Sequence, residues 1–239
     1  MTDTETVHNA GRPATDGSTD GRDPVPAAVD WILGIVTGLI GLALTAVGAA
    51  MYARVDRALL TDFVTSEGVE VNGITPAEAV TAGVPFVDWL AAGIAVTGLV
   101  LVVAAAAFVV ARRRTRRRVA REGGTTATFR ACAVYGAAVT ALVSFIPGAA
   151  VAGGGVAAYL YGEDGSGLRI GAVAAFLGWA LSLPLLVAVS AGFLAGADAI
   201  GQLGGGVALV AFVTVGELIA LAINAGLGAL GGFLVDKFV

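Results

Sequence analysis

A single glutamate interrupts the longest apolar stretch near the end of this chain. Glu217 falls near the middle of the run from Val207 to Val235, where a charged side chain costs about 2.5 to 3.5 kcal/mol by membrane-insertion scales. Three kinds of chemistry fit such a position. The first is a protonated carboxyl held by hydrogen bonds. Thr214 lies three residues before it and Asn224 two turns after it on the same helical face, and Ser182 or Ser190 of a preceding block could reach it. The second is a proton or cation site. The third is a shifted helix that carries Glu217 to the membrane interface. The residues leave all three open, with Glu217, Asn224 and Thr214 as the candidate intramembrane polar site.

Other reactive groups are scarce. Cys132 is the only cysteine and His8 the only histidine, so the chain has no intrachain disulfide and no histidine-based metal site or nucleophile–histidine pair. Clusters of Asp, Glu or His recurring across several apolar blocks are lacking too. The sequence therefore reads as a non-enzyme without catalytic residues, metal ligands or cofactor. One charged run stands out. Arg112, Arg113, Arg114, Arg116, Arg117, Arg118 and Arg121 supply half of the 14 basic residues. Nucleic acid is a poor fit, because no aromatic residues are interleaved with the arginines. The run follows an apolar block directly, where it reads as a topology signal that places this side in the cytoplasm, with generic contact to anionic lipid.

The elements that must position these groups are membrane helices. Hydrophobic residues make up 57% of the chain and charged residues 13%, with a mean hydropathy of +0.86, well outside the range of soluble domains. The apolar blocks run from Trp31 to Tyr52, Trp89 to Ala111, Phe129 to Leu160, Leu168 to Leu194 and Gly206 to Val235. Each can cross a core of about 30 Å as a helix, and none has the two-residue alternation of a barrel strand. The fold class is all-α: a polytopic helical membrane protein with about five transmembrane segments. The third and fifth blocks are too long for straight spans. Pro147-Gly148 breaks the third, since proline removes a helical donor, and the glycine-rich stretch from Asn224 to Gly232 is the weaker candidate in the fifth. A shift of 77 residues superposes the two, aligning Pro147 with Asn224 and Gly154-Gly155 with Gly231-Gly232, a faint internal repeat of the kind transporter folds use.

Three regions follow. Residues 1–28 read as a disordered cytoplasmic tail, too polar to offset the entropy of ordering, and without the pattern of a signal peptide. Residues 29–128 read as a two-helix membrane unit with an acidic external loop (53–87) and a cytoplasmic Arg-rich loop (112–128). In the external loop, an apolar face over Val55–Val64 and the capping box Thr75-Pro76-Ala77-Glu78 predict a small two-helix cap. Residues 129–239 read as a Gly/Ala-rich three-helix membrane domain. Alternating crossings would put the N-terminus inside, Gly162-Glu163-Asp164-Gly165 outside, Ala195 to Gly205 inside and the C-terminus outside.

Small residues predict how the helices meet. Gly34, Gly38, Gly41, Thr45 and Gly48 recur with a mean period of 3.5, and Gly93 to Ala111 repeats those steps. Such seams let backbones approach closely where lipid supplies no hydrophobic drive. Gly154, Gly155, Gly231 and Gly232 are the corresponding candidates in the last domain. The partners implied are the lipid bilayer and a homo-oligomer of the chain.

One stretch is distinctive. Ser144-Phe145-Ile146-Pro147-Gly148, Gly153-Gly154-Gly155-Val156-Ala157-Ala158-Tyr159-Leu160 and Glu163-Asp164-Gly165, with Arg169-Ile170-Gly171-Ala172 and Leu227 to Gly232, resemble a domain of unknown function in small membrane proteins of halophilic archaea. The resemblance spans roughly Phe129 to Val239 and implies a location in the cell membrane without implying an activity. Composition agrees with that source, since Lys237 is the only lysine. The expected role is structural or accessory, and the alternative is a small channel or transporter built on Glu217 and the broken helices.

Overall fold

A computed structural model describes residues 25–66, 73–144, 146–162 and 166–239. The expectations for most of the N-terminal tail with His8, for Glu67 and Glu70 of the acidic loop, for Phe145 and for Glu163-Asp164-Gly165 lie outside the described residues. All regular structure among the described residues is helical.

Two long helices form the first layer: α1 (Ala27–Arg54) and α3 (Pro76–Glu122), with the short α2 (Arg57–Ser66) between them. The capping box at the start of α3 is formed as the sequence predicts. The Glu78 amide donates to Thr75 Oγ1 at 3.3 Å and the Thr75 amide donates to Glu78 Oε2 at 2.8 Å. These bonds to the carboxylate hold Glu78 below its ordinary pKa. The cap, however, is not a separate pair of helices, because its second member continues without a break into the second apolar block. The arginines from 112 to 121 are likewise not a loop but the last turns of the same helix, which at 47 residues is about 70 Å long.

The seam between α1 and α3 falls at every seventh residue. A methyl group built at Gly41 would lie 2.6 Å from Gly98 O, and one at Gly48 would lie 2.5 Å from the Ala95 amide nitrogen; one at Gly34 would collide with Val109 Cγ2. Thr45 sits between them and donates to Gly41 O at 2.9 Å. Gly38 departs from the predicted seam. It has no atom within 4 Å of its missing Cβ, because a helix turning 3.6 residues per turn brings only one side of a zigzag stripe into closest approach.

The third apolar block is broken where predicted. Helix α4 (Phe129–Leu142) ends before Pro147, and α5 (Ala149–Tyr161) starts after Gly148, whose φ of 89° is a conformation open to glycine. The two helices then fold back on each other. Gly136 of α4 packs against Gly153 O of α5, and the rings of Phe129 and Tyr161, at the outer ends of the pair, stand edge to face at 5.7 Å. At 14 and 13 residues each arm is about 20 Å long, too short to cross. The block is a helical hairpin rather than one long helix.

The other two blocks reverse the expectation about breaks. The fourth divides into α6 (Gly167–Ala180) and α7 (Leu183–Ala199), bent by 42° just ahead of Pro184. The fifth, α8 (Leu203–Phe238), runs unbroken past Asn224. Glycine alone does not interrupt it, because α8 is clamped there: a methyl at Gly231 would collide with Val151 O of α5, and one at Gly232 with Gly167 O of α6. Methyl groups at Gly154 and Gly171 would both strike Gly228 O. The C-terminal half of α8 therefore lies in the groove between α5 and α6. Gly155 touches it only at ordinary distance, 3.5 Å from Gly231 O.

Helices long and apolar enough to cross a membrane are α1, α3, α8 and the bent pair α6–α7, up to four crossings instead of five. Their packing fixes which ends lie together. Leu160 at the end of α5 packs with Val25, Ala131 and Tyr135, and the Gly167 amide at the start of α6 donates to Asp236 Oδ2 near the end of α8 at 2.7 Å. The end of α5, the start of α6 and the C-terminus thus share the arginine end of the bundle. Gly93 meets Ala188, and Gly196 meets Ala82 O, so α7 runs antiparallel to α3 towards the α2 end. The hairpin returns the chain to the end it left, so the start of α6 and the C-terminus lie at the arginine end and Ala195 to Gly205 at the other, the reverse of the expected alternation.

Candidate functional site

Two carboxyls of this scaffold receive side-chain hydrogen bonds from other helices. Asp30, on the first turn of α1, is 4% exposed. The antiparallel arrangement of α1 and α3 brings it level with the arginines, and Arg112 and Arg116, one turn apart, both turn towards it. Arg112 Nε donates to Asp30 Oδ1 at 3.1 Å and Arg116 Nε to Oδ2 at 2.9 Å. The Tyr135 hydroxyl of α4 donates to Oδ1 as well. Arg112 Nη1 donates to Thr126 O at 2.6 Å and Arg116 Nη2 to Val25 O at 2.9 Å. The Arg112 guanidinium lies 5.7 Å from the centre of the Tyr135 ring, which is edge-on to Phe108. Each ion is paired and hydrogen-bonded, the condition under which buried charge is tolerated.

The arginine run thus divides by face. Arg112 and Arg116 join α1, α3 and α4, while Arg113 covers the Trp31 ring at 4.4 Å and Arg118 pairs with Glu122 at 2.8 Å in the open. Arg114 and Arg117 are exposed and remain where a topology signal would be. Sequence reading missed Asp30, Thr126 and Tyr135. A signal was there: a lone acid at the start of one apolar block opposite arginines four residues apart at the end of the next, two positions that an antiparallel pair brings level.

Glu217 is the other carboxyl. It is half-buried, and Trp179 of α6 donates Nε1–H to its Oε2 at 3.1 Å. The expected local partners are turned elsewhere. Thr214 is exposed and donates to Val210 O at 2.8 Å, and Asn224 donates Nδ2–H to Ala220 O at 2.9 Å. Ser182 donates to Trp179 O at 2.7 Å. Of the predicted polar group, Asn224 and Glu217 share a face of α8, but the donor to the carboxyl comes from another helix. The signal for Trp179 was an indole in mid-block, since a Trp N–H away from water seeks an acceptor.

The tip of the α4–α5 hairpin, the end of α6 and Asn224 surround a half-open cavity of about 360 Å³. Thr140, Ser144, Pro147, Gly178, Trp179 and Asn224 are among its walls. It lies at depth. Trp179 is 12 residues from the start of α6 and Asn224 is 12 residues from Asp236, which places both about 18 Å in from the arginine end. The cavity thus joins the break in the third block to the last turn of α6, and its Trp179 donates to Glu217, the one acidic or basic side chain among the described residues of α8 before Asp236. No group of three or more His, Cys, Asp or Glu residues able to hold a metal occurs among the described residues.

No protein-family model matches the chain, and comparison with curated proteins and with solved structures gives no match.

Proposed function

We propose that this integral membrane protein is a small channel or transporter that handles its solute in the cavity between the tip of the α4–α5 hairpin, the end of α6 and Asn224 of α8. The observation that carries the reading is a break in an apolar block that opens onto a cavity between helices. Irregular backbone there is tolerated where it is buried in protein or lines a polar cavity, and broken helices around a midplane site are the construction that transporters use. Glu217, with a single neutral donor, is the group that responds to an arriving charge. By the positive-inside rule the arginine end is cytoplasmic, and the protein resides in the cell membrane.

A structural or accessory role is the second reading. It is favoured by the Asp30 cluster and the glycine seams, which commit most interior polar and close-packed groups to holding helices together. Reconstituted vesicles separate the two. Purified protein is expected to speed the swelling of vesicles in at least one member of a panel of small solutes, or the collapse of a proton gradient, relative to empty vesicles. Glu217→Leu should abolish the acceleration. A folded wild-type protein that accelerates none of them would favour the structural reading.

A further inference from the structure

At the arginine end, guanidinium groups outnumber the carboxylates that pair with them. Gly34 of α1 meets Val109 of α3, and in an antiparallel pair this sets Trp31 level with Arg112 and Arg113. Trp31 is 43% exposed and Tyr52 is 64% exposed. The rise from one to the other along α1 is about 32 Å, close to a hydrocarbon core of about 30 Å, so the two rings mark the two headgroup levels. Arg113 therefore lies at the boundary and Arg117, one turn further out, in the headgroup layer. Arg121 is about 12 Å beyond Arg113. Asp30 takes Arg112 and Arg116 on the inner face of α3. Arg113, Arg114 and Arg117 share an arc of about 100° on the outer face. All three are exposed, and none pairs with a carboxylate among the described residues.

We propose that Arg113, Arg114 and Arg117 bind the phosphate of an anionic phospholipid in the leaflet at the arginine end, with Trp31 holding Arg113 at headgroup depth. The Arg113 guanidinium lies 4.4 Å from the centre of the Trp31 ring. Stacking occupies the face of the guanidinium and leaves the N–H donors of its edge for a phosphate, whose oxygens match that fork. A zwitterionic headgroup brings a cation along with its phosphate and leaves the excess positive charge uncorrected, whereas an anionic one balances it. Depth favours lipid over the acidic residues near the start of the chain. Asp16, Asp20 and Asp23 join the described chain at Val25, whose carbonyl accepts from Arg116 on the inner face. The site stands whichever of the two functional readings holds.

Trp31 reports on its own lipid neighbours. In the full chain carrying Trp89→Phe and Trp179→Phe, reconstituted into vesicles at low salt, only Trp31 emits. Phosphatidylglycerol brominated on its acyl chains is expected to quench it in preference to phosphatidylcholine brominated in the same way. The expected preference is at least about fivefold in relative binding, the factor equivalent to about 1 kcal/mol for one arginine near an anionic surface. The double variant Arg113→Gln, Arg117→Gln should bring the preference close to one, and Arg121→Gln should leave it unchanged. Each variant is read as the ratio between the two lipids, so a changed Trp31 yield cancels. Equal quenching by the two lipids in the full chain, or a loss in Arg121→Gln as large as in the double variant, overturns the proposal. Should a preference then emerge only after removal of residues 1–24, the acidic stretch of the chain and not lipid is the occupant of this face.

Discussion

Asp30 and Glu217 are both carboxyls within the helical bundle, and their surroundings differ in kind. Asp30 receives two guanidinium groups and a phenol, is nearly sealed, and ties α1, α3 and α4 together. Glu217 is half-buried and receives one indole N–H, from a tryptophan that lines the cavity. A fully partnered carboxyl resists change because any new arrangement strands a charge. An under-partnered one retains the capacity to take a proton or a cation. The contrast sets a carboxyl that ties three helices together against one with a single neutral donor.

The largest effect should come from breaking the full set. Asp30→Ala leaves Arg112 buried without its anion and is expected to cost about 3 to 5 kcal/mol, seen as lost expression or a much lower Tm in detergent. Should Asp30→Ala keep the wild-type Tm, the cluster is not what joins the halves. Next comes the helix seam. Gly41→Leu forces a side chain into Gly98 O and should cost about 1 to 3 kcal/mol, whereas Gly38→Leu, facing open space, should lie within about 0.5 kcal/mol of wild type. Equal Tm values for the two would remove the seven-residue seam.

Glu217 should respond more mildly. Glu217→Leu strands the Trp179 N–H and is expected to cost about 1 to 3 kcal/mol, while Glu217→Gln should be near neutral. A cost for Gln as large as that for Asp30→Ala would erase the distinction between the two carboxyls. The smallest effect concerns the cap of α3, about three turns outside the apolar stretch. Because Thr75 lowers the Glu78 pKa, the capping bonds stabilise the helix start above the ordinary carboxylate pKa and are lost as pH falls through the lowered value. The protection factors of the first-turn amides of α3 should therefore fall as pH drops below the ordinary carboxylate pKa, and Glu78→Gln should remove that fall.

How much of this was legible varies with the range of the interaction. Local rules found the capping box, the apolar blocks and the break at Pro147, because each depends on neighbours within about one turn. The seam was legible to within one face: Gly34, Gly41 and Gly48 pack as expected and Gly38 does not. Pairing between distant segments was not legible. Trp179 with Glu217 and Tyr135 with Asp30 depend on how six helices assemble, which residue spacing along one helix does not encode. The break in α8 failed for a related reason. Its glycines read as weakness along one helix, yet they are the surface on which α5 and α6 close.

The hairpin also has a consequence for biogenesis. Neither α4 nor α5 is long enough to be recognised as a membrane segment while it emerges from the ribosome, and the glycine faces that hold them are completed by α6 and α8, which are made later. The close packing of the hairpin is therefore complete only once the chain has been made through α8. A chain truncated before α8 should accordingly expose residues 129–161 to protease from the arginine side, while α1 and α3 remain protected.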